Sequence, residues 1–187
     1  MEKQAKTLAP SLEEEKMKTK YYTWDTLVYT INNDIKEYRR NNRSGLIIII
    51  GHSYGGDTAM DVANFTNEKT IVVTLDPVST SDVDTYIGIR PRNVSLWINS
   101  YIEETWCDKS IGKVPIIGAV GSALIGWYGC GSVSNYIATV GGKWGYEESA
   151  NYNLEFAIDN DEKVDHANVY DLFTGTNNSM GVSAKIS

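Results

Sequence analysis

Cysteine is scarce in this sequence, which holds only Cys107 and Cys130 among its 187 residues. Two cysteines exclude a scaffold built on several disulfides and a four-cysteine zinc site, and they leave one bridge conceivable. Basic residues are also few, since 17 of them stand against 24 acidic residues and the net charge is −7. No stretch gathers Lys and Arg around aromatic residues, which argues against a nucleic-acid partner.

An apolar run is missing from the first twenty residues as well. Residues 1–20 carry charges of both signs and contain no apolar run of the kind that a secretory signal peptide needs. We expect this segment to be poorly fixed, and the protein to be cytoplasmic or exported by a route independent of a signal peptide. The composition that is present, 42% apolar and 22% charged, is typical of a globular chain, and the length suits a single domain over 1–187.

Apolar residues along the chain alternate between helical and strand patterns. Spacings of three and four from Asp25 onward predict an amphipathic helix that ends at Asn41 and Asn42. The run LIIII at 46–50 predicts a strand buried on both faces, because it is too short for a buried helix and lacks alternating polar residues. The same reasoning predicts a short strand at 20–24, a helix at 57–65, strands at 70–75, 93–101 and 151–158, and a terminal helix at 168–173. This alternation predicts an α/β fold with a mostly parallel sheet covered on both faces.

The sequence GHSYGG at 51–56 lies between a predicted strand and a predicted helix. It matches the G-x-S-x-G pattern of a nucleophile elbow, and the flanking strand and helix make the match much more specific than the bare pattern. Glycines two residues on either side of Ser53 would let the chain reverse sharply and expose the Ser53 hydroxyl at the sheet edge. The Tyr54 N–H, at the start of the helix, would then point to where an oxyanion forms.

A serine hydroxyl needs a general base to remove its proton, and the chain contains only two histidines. His52 lies inside the elbow, where the turn directs its side chain away from Ser53, so we expect it to be structural. His166 is therefore the candidate base, on a loop that follows the last predicted strand.

The third member of such a site is a carboxylate that orients the imidazole. Asp76 is the strongest candidate, because it ends the strand after the elbow and Pro77 turns the chain out of the sheet directly afterwards. Its side chain would then share a sheet edge with Ser53. Other acids remain open as alternatives: Asp82, Asp84, Glu103, Glu104 and Asp108.

With GHSYGG at 51–56 and LDPV at 75–78, the chain resembles the α/β-hydrolase superfamily, and more narrowly its lipase-like and esterase-like members. Some lipases of that group also place the acid in a Leu-Asp-Pro turn after the strand that follows the elbow. The order Ser53, Asp76, His166 is the order of that superfamily. The resemblance implies that Ser53 is the nucleophile, Asp76 the orienting acid, His166 the general base and the Tyr54 N–H one oxyanion donor, in a compact α/β-hydrolase-type sheet.

The resemblance further implies a serine hydrolase that cleaves carboxylic esters, lipid esters among them, through an acyl-serine intermediate. It implies no metal and no organic cofactor, and a small-molecule or lipid ester as the partner. A thioesterase or an amidase would use the same triad. The family draws its second oxyanion donor from a glycine-containing loop after an earlier strand, and residues 1–20 contain no glycine. A catalytically silent, hydrolase-like binding module therefore remains an alternative.

Residues 114–142 contain no charged side chain and are rich in glycine and small residues. A membrane span is disfavoured there by Pro115 and the repeated glycines. We expect an apolar insertion or cap over 111–145, which either packs as a buried insertion or covers the site and accepts an acyl chain. In the second case, 114–142 could contact a membrane transiently, as a toxin that acts on lipids would require.

Overall fold

A four-stranded parallel sheet organises the chain. The computed structural model describes residues 18–79, 89–102, 142–156, 166–176, 179–182 and 185. The strands are β1 (Ile48–His52), β2 (Thr70–Leu75), β3 (Val94–Ile102) and β4 (Tyr152–Phe156), and they lie side by side in chain order. Because every neighbouring pair is parallel, the carboxyl ends of all four strands share one edge of the sheet.

Within the described residues, three helices accompany the sheet: α1 (Val28–Asn41), α2 (Tyr54–Phe65) and α3 (Val169–Thr174). A short antiparallel pair, β5 (Gly175–Thr176) and β6 (Ser179–Met180), follows α3. The predicted α/β class and parallel sheet are confirmed. The strand predicted at 70–75 has these bounds in the structure, and those predicted at 93–101 and 151–158 correspond to β3 and β4.

The two faces of the sheet carry separate apolar clusters, because successive strand residues point to opposite sides. Val72 and Trp97 pack with Met60 and its neighbours on α2. Val73 and its neighbours on the other face pack against Val169 and Leu172 of α3. The sheet is thus flanked by helices on both faces, as the sequence predicts.

Two details of the predicted elements are wrong. Residues 20–24 form no strand, because the aromatic side chains there pack against helices: the Tyr22 hydroxyl donates to Asp34 Oδ2 on α1 (2.7 Å), and Trp24 lies against α2. The strand at 46–50 begins only at Ile48, and it is not buried on both faces. Ile50 is 38% exposed, because β1 is the outer strand of the described sheet.

Helix bounds also differ from the predictions. The first helix begins at Val28 rather than Asp25, and Leu27 lies outside it with 74% of its surface exposed. The elbow helix begins at Tyr54 rather than Asp57, directly after Ser53. The terminal helix spans 169–174, with the Asn168 side chain accepting from the Asp171 N–H at its start.

A line of buried polar side chains fixes the segment 142–150 against the sheet. Asn99 accepts from the Thr74 hydroxyl (2.9 Å) and donates through Nδ2 to the Gly145 carbonyl (2.8 Å) and to Asn153 Oδ1 (3.0 Å). The Trp97 indole N–H donates to the same Thr74 hydroxyl (3.1 Å). These bonds place residues 142–145 next to the end of β2.

Several sequence predictions fall on residues outside the described ones. They are residues 1–17 of the segment predicted to be poorly fixed, Cys107 and Cys130, the alternative acids at 82, 84, 103, 104 and 108, all of the predicted insertion 111–145 except 142–145, and the end of the predicted strand at 157–158. Within the described ranges, no helix is long and apolar enough to cross a membrane.

Candidate active site

Ser53 sits in a strained turn between β1 and α2. Its backbone has φ 57° and ψ −130°, a conformation that residues other than glycine rarely adopt. Hydrogen bonds hold it there: its N–H donates to the Leu75 carbonyl (3.1 Å), and its carbonyl accepts from the N–H groups of Gly56 (2.8 Å) and Val78 (3.0 Å). Such strain costs about 1–3 kcal/mol and persists where the surroundings over-determine the turn.

The elbow needs glycine at 51 and 56 rather than at 51 and 55. A Cβ on Gly51 would lie 2.0 Å from the Gly55 carbonyl oxygen, and one on Gly56 would lie 2.5 Å from Pro77 Cβ. A Cβ on Gly55 would meet nothing within 4 Å. The sequence prediction of a tight contact on either side of Ser53 is therefore correct at Gly51 and misplaced by one residue on the helix side.

His166 joins Ser53 to Asp76. Its Nε2 lies 2.9 Å from Ser53 Oγ, and its Nδ1 lies 2.6 Å from Asp76 Oδ2. A carboxylate only accepts hydrogen bonds, so Nδ1 carries the proton, and the unprotonated Nε2 accepts from the Ser53 hydroxyl. All three residues are buried, with Ser53 and His166 8% and 7% exposed. The structure thus brings together the three side chains that the sequence singled out.

Asp76 directly follows β2 and has a positive φ of 41°. Its N–H donates to the Ser100 carbonyl (2.6 Å), and this bond attaches the turn after β2 to strand β3. Its Oδ1 accepts from the Ile102 N–H (3.0 Å), while Oδ2 faces His166. Both oxygens of this fully buried carboxylate are therefore engaged, so its orientation is fixed on two sides.

Lys143 also belongs to the site, and sequence reasoning missed it. Its Nζ lies 3.3 Å from Asp76 Oδ1, and its side chain is 3% exposed. An antiparallel bridge to Val78 holds it in place, with the Trp144 N–H donating to the Pro77 carbonyl (2.9 Å). The only signal in the sequence is that Lys143 is the first charged residue after the long uncharged stretch.

His52 contacts the backbone at His166. Its Nε2 lies 2.5 Å from the His166 carbonyl oxygen, and the two rings are 4.8 Å apart. Burial, with a smaller effect of the nearby His166 ring, lowers the pKa of His52 to about 4. The ring is therefore neutral near pH 7, and its Nε2–H donates to the carbonyl. The structure identifies the His166 carbonyl as the partner of His52, and the structural role of His52 stays a prediction.

The amide of Tyr54 opens α2, so it is among the first four N–H groups, which lack an intrahelical acceptor. The Trp24 ring lies 5.4 Å from the Tyr54 ring, and the Trp24 carbonyl accepts from the Thr58 hydroxyl (2.7 Å). These contacts place the segment before α1 beside the elbow. The amides of Val78 and Ser79 are already bonded to the Ser53 and Gly142 carbonyls, respectively, so neither is available to an oxyanion.

Chemically, this arrangement can move a proton from Ser53 Oγ to His166 Nε2 while Asp76 stabilises the resulting imidazolium. In the part of the chain that the structure describes, no group of three His, Cys, Asp or Glu side chains could hold a metal ion. Comparison with protein-family models, curated proteins and solved structures gave no match for this chain. Its function is therefore inferred from the geometry of the site.

Proposed function

We propose that the protein is a serine hydrolase of the α/β-hydrolase type, which cleaves carboxylic esters through an acyl-serine intermediate. The observation that supports this most is the hydrogen-bonded series from Ser53 Oγ through His166 to Asp76 at the carboxyl edge of a parallel sheet. The strained backbone of Ser53 adds weight, because strain of this kind is concentrated at functional turns.

In the acylation step, Ser53 Oγ attacks the ester carbonyl carbon while its proton passes to His166 Nε2. Asp76 accepts the Nδ1–H bond throughout, which holds the ring and stabilises its positive charge. His166 then gives the proton to the departing alkoxide, and an acyl group remains on Ser53.

In the deacylation step, His166 takes a proton from water, which attacks the acyl-serine carbonyl. The carboxylic acid leaves as Ser53 recovers its proton. In both steps the carbonyl oxygen gains negative charge, and we assign the Tyr54 N–H as one donor to it, supported by the positive end of the α2 dipole.

An active-site probe tests this proposal. A fluorophosphonate should label the wild-type protein at Ser53, and Ser53→Ala should abolish both labelling and turnover of short nitrophenyl esters. Ser100→Ala is a matched control, because it also removes a buried hydroxyl group. The Ser100 hydroxyl donates to the Leu172 carbonyl, whereas that of Ser53 donates to an imidazole. This control should still be labelled.

The same experiment separates the alternatives. A folded protein that takes no label would be a catalytically silent binding module, and the proposal would fail. Turnover of thioesters or amides in preference to oxygen esters would assign the thioesterase or amidase alternative. A rate that climbs with acyl length would favour lipid esters, and a preference for two-carbon esters would favour small soluble ones.

A further inference from the structure

The buried ammonium group of Lys143 lies next to Asp76, the acid of the site. Lys143 Nζ lies 3.3 Å from Asp76 Oδ1, and both side chains are almost completely buried. Lysine is rarely buried unless its charge is paired. The position is also fixed on both sides of Lys143, since the Ser79 N–H donates to the Gly142 carbonyl (2.9 Å) and the Trp144 N–H to the Pro77 carbonyl.

The ammonium changes the charge balance of the proposed reaction. With a neutral His166, the Lys143 and Asp76 charges cancel. When His166 takes a proton, the three groups together carry one positive charge, whereas an Asp–His pair alone would be neutral. A permanent cation on one oxygen of Asp76 therefore weakens the support that Asp76 gives to an imidazolium on its other oxygen.

We propose that Lys143 is a positioning residue that acts through Asp76 to oppose protonation of His166 and so keeps the site active at lower pH than an Asp–His pair would allow. The inference rests on the proposed function for its kinetic readout. Lys143 contacts Asp76 rather than a reacting atom and takes no part in bond making. Its charge opposes protonation of His166, and it supplies no reacting atom.

Other titratable groups lie on the elements that reach this edge and on the segment of Lys143, where burial raises the pKa of Glu147 to about 7. His52, at the end of β1, contacts the His166 backbone and is neutral near pH 7. Asp57 lies in the first turn of α2, and Asp171 lies in the first turn of α3, where Asn168 donates to its carboxylate. Among the described residues, Lys143 is the cation paired with Asp76, so its removal should have the largest effect on the protonation of His166.

The test compares the pH dependence of kcat/KM for the wild type, Lys143→Met and Lys143→Arg on a short nitrophenyl ester. Methionine keeps the length of the side chain and removes its charge, whereas arginine keeps the charge. We expect the acid limb of Lys143→Met to move up by about one pH unit, with Lys143→Arg close to the wild type. An unmoved acid limb in folded Lys143→Met would overturn the inference.

Two further readouts keep the test decisive. The chain has only two histidines, so an NMR titration of labelled imidazoles follows His166 directly, and its midpoint should move with the kinetic limb. If Lys143→Met does not fold, Lys143→Gln takes its place, and an imidazole midpoint in Lys143→Gln equal to that of the wild type overturns the inference. A wild type without esterase activity or labelling would instead refute the proposed function, and the titration would still test Lys143.

Discussion

At the scale of single residues, Asp76 is the side chain on which most of the site depends. It accepts bonds from His166 and the Ile102 N–H and is paired with Lys143, while its own N–H fixes the turn after β2. Its charge therefore orients the imidazole and also compensates a buried ammonium.

Asp76→Asn should lower kcat by roughly 10³- to 10⁴-fold, because an amide does not hold His166 in the tautomer that accepts from Ser53. It should also destabilise the fold by about 3–5 kcal/mol, since it leaves Lys143 buried without a counter-charge. Steady-state kinetics and urea unfolding measure the two effects. Asp84→Asn, at an alternative acid that the sequence left open, is the control, and a comparable loss there would contradict the role of Asp76.

His52 makes a second prediction at this scale. His52→Phe keeps a ring but removes the donor to the His166 carbonyl, so kcat should fall about 2- to 10-fold while KM stays nearly constant. His52→Gln restores an N–H near the same place and should recover part of the loss. Equal losses in both variants would show that ring packing, and not the hydrogen bond, is what matters.

The residues of the site were predictable from the sequence to different degrees. Ser53, Asp76 and His166 were predictable because each is a residue type that the chemistry needs at a recognisable place in the sequence. Ser53 lies in a strand-to-helix turn, Asp76 follows a predicted strand, and His166 is the histidine that remains once His52 is set aside. Neither the residue type nor the sequence position of Lys143 indicated a role in the site. Its role depends on the bridge between Val78 and Lys143, a contact between distant segments that no local pattern encodes.

At the scale of elements, the elbow depends on the close approach of α2 to the turn after β2. Gly56 packs against Pro77, which directly follows Asp76, so the same contact fixes both the helix and the acid. Gly55, on the neighbouring position of the helix, faces open space. The pair therefore offers a matched comparison.

Gly56→Ala should destabilise the protein by about 1–3 kcal/mol, because the added methyl group overlaps Pro77. Gly55→Ala should leave stability unchanged or raise it by about 0.5–1 kcal/mol, since alanine is the better helix former. Urea midpoints at matched slopes give both values. A destabilised Gly55→Ala beside a tolerated Gly56→Ala would refute this geometry of the elbow.

Elements with strong local signals were predictable, and those defined by distant partners were not. β2 was predicted with its observed bounds because five of the six residues of TIVVTL are β-branched, which favours a strand. The aromatic stretch at 20–24 has high strand propensity but finds helical partners, Asp34 on α1 for Tyr22 and Tyr54 on α2 for Trp24. Burial of β1 was overestimated because the sequence does not say which strand lies at the edge.

At the scale of the whole molecule, His52 and Glu147 make stability depend on pH in opposite directions. Burial lowers the pKa of His52 to about 4, so its contribution is present above pH 6.5 and is lost as the pH falls towards 4. Burial raises the pKa of Glu147 from 4.5 to about 7, so the folded state holds its proton more tightly than the unfolded chain. The Glu147 contribution is therefore full below pH 4.5 and is lost as the pH rises through 7.

Glu147→Gln should remove the second dependence. The free energy of unfolding of this variant should exceed that of the wild type by about 1–3 kcal/mol more at pH 8 than at pH 4.5, because glutamine has no proton to lose. Urea unfolding at both values of pH measures the difference. The same difference at pH 4.5 and pH 8 would show that folding does not change the pKa of the Glu147 carboxyl.

The four strands lie side by side in the order in which they leave the ribosome, so a growing chain can add each one to the sheet as it emerges. By the time Ile102 has been made, the hydroxyl of Ser53 and the carboxylate of Asp76 can already stand at one edge. The imidazole that joins them is not yet translated. The proposed hydrolase therefore lacks its general base until synthesis has passed His166.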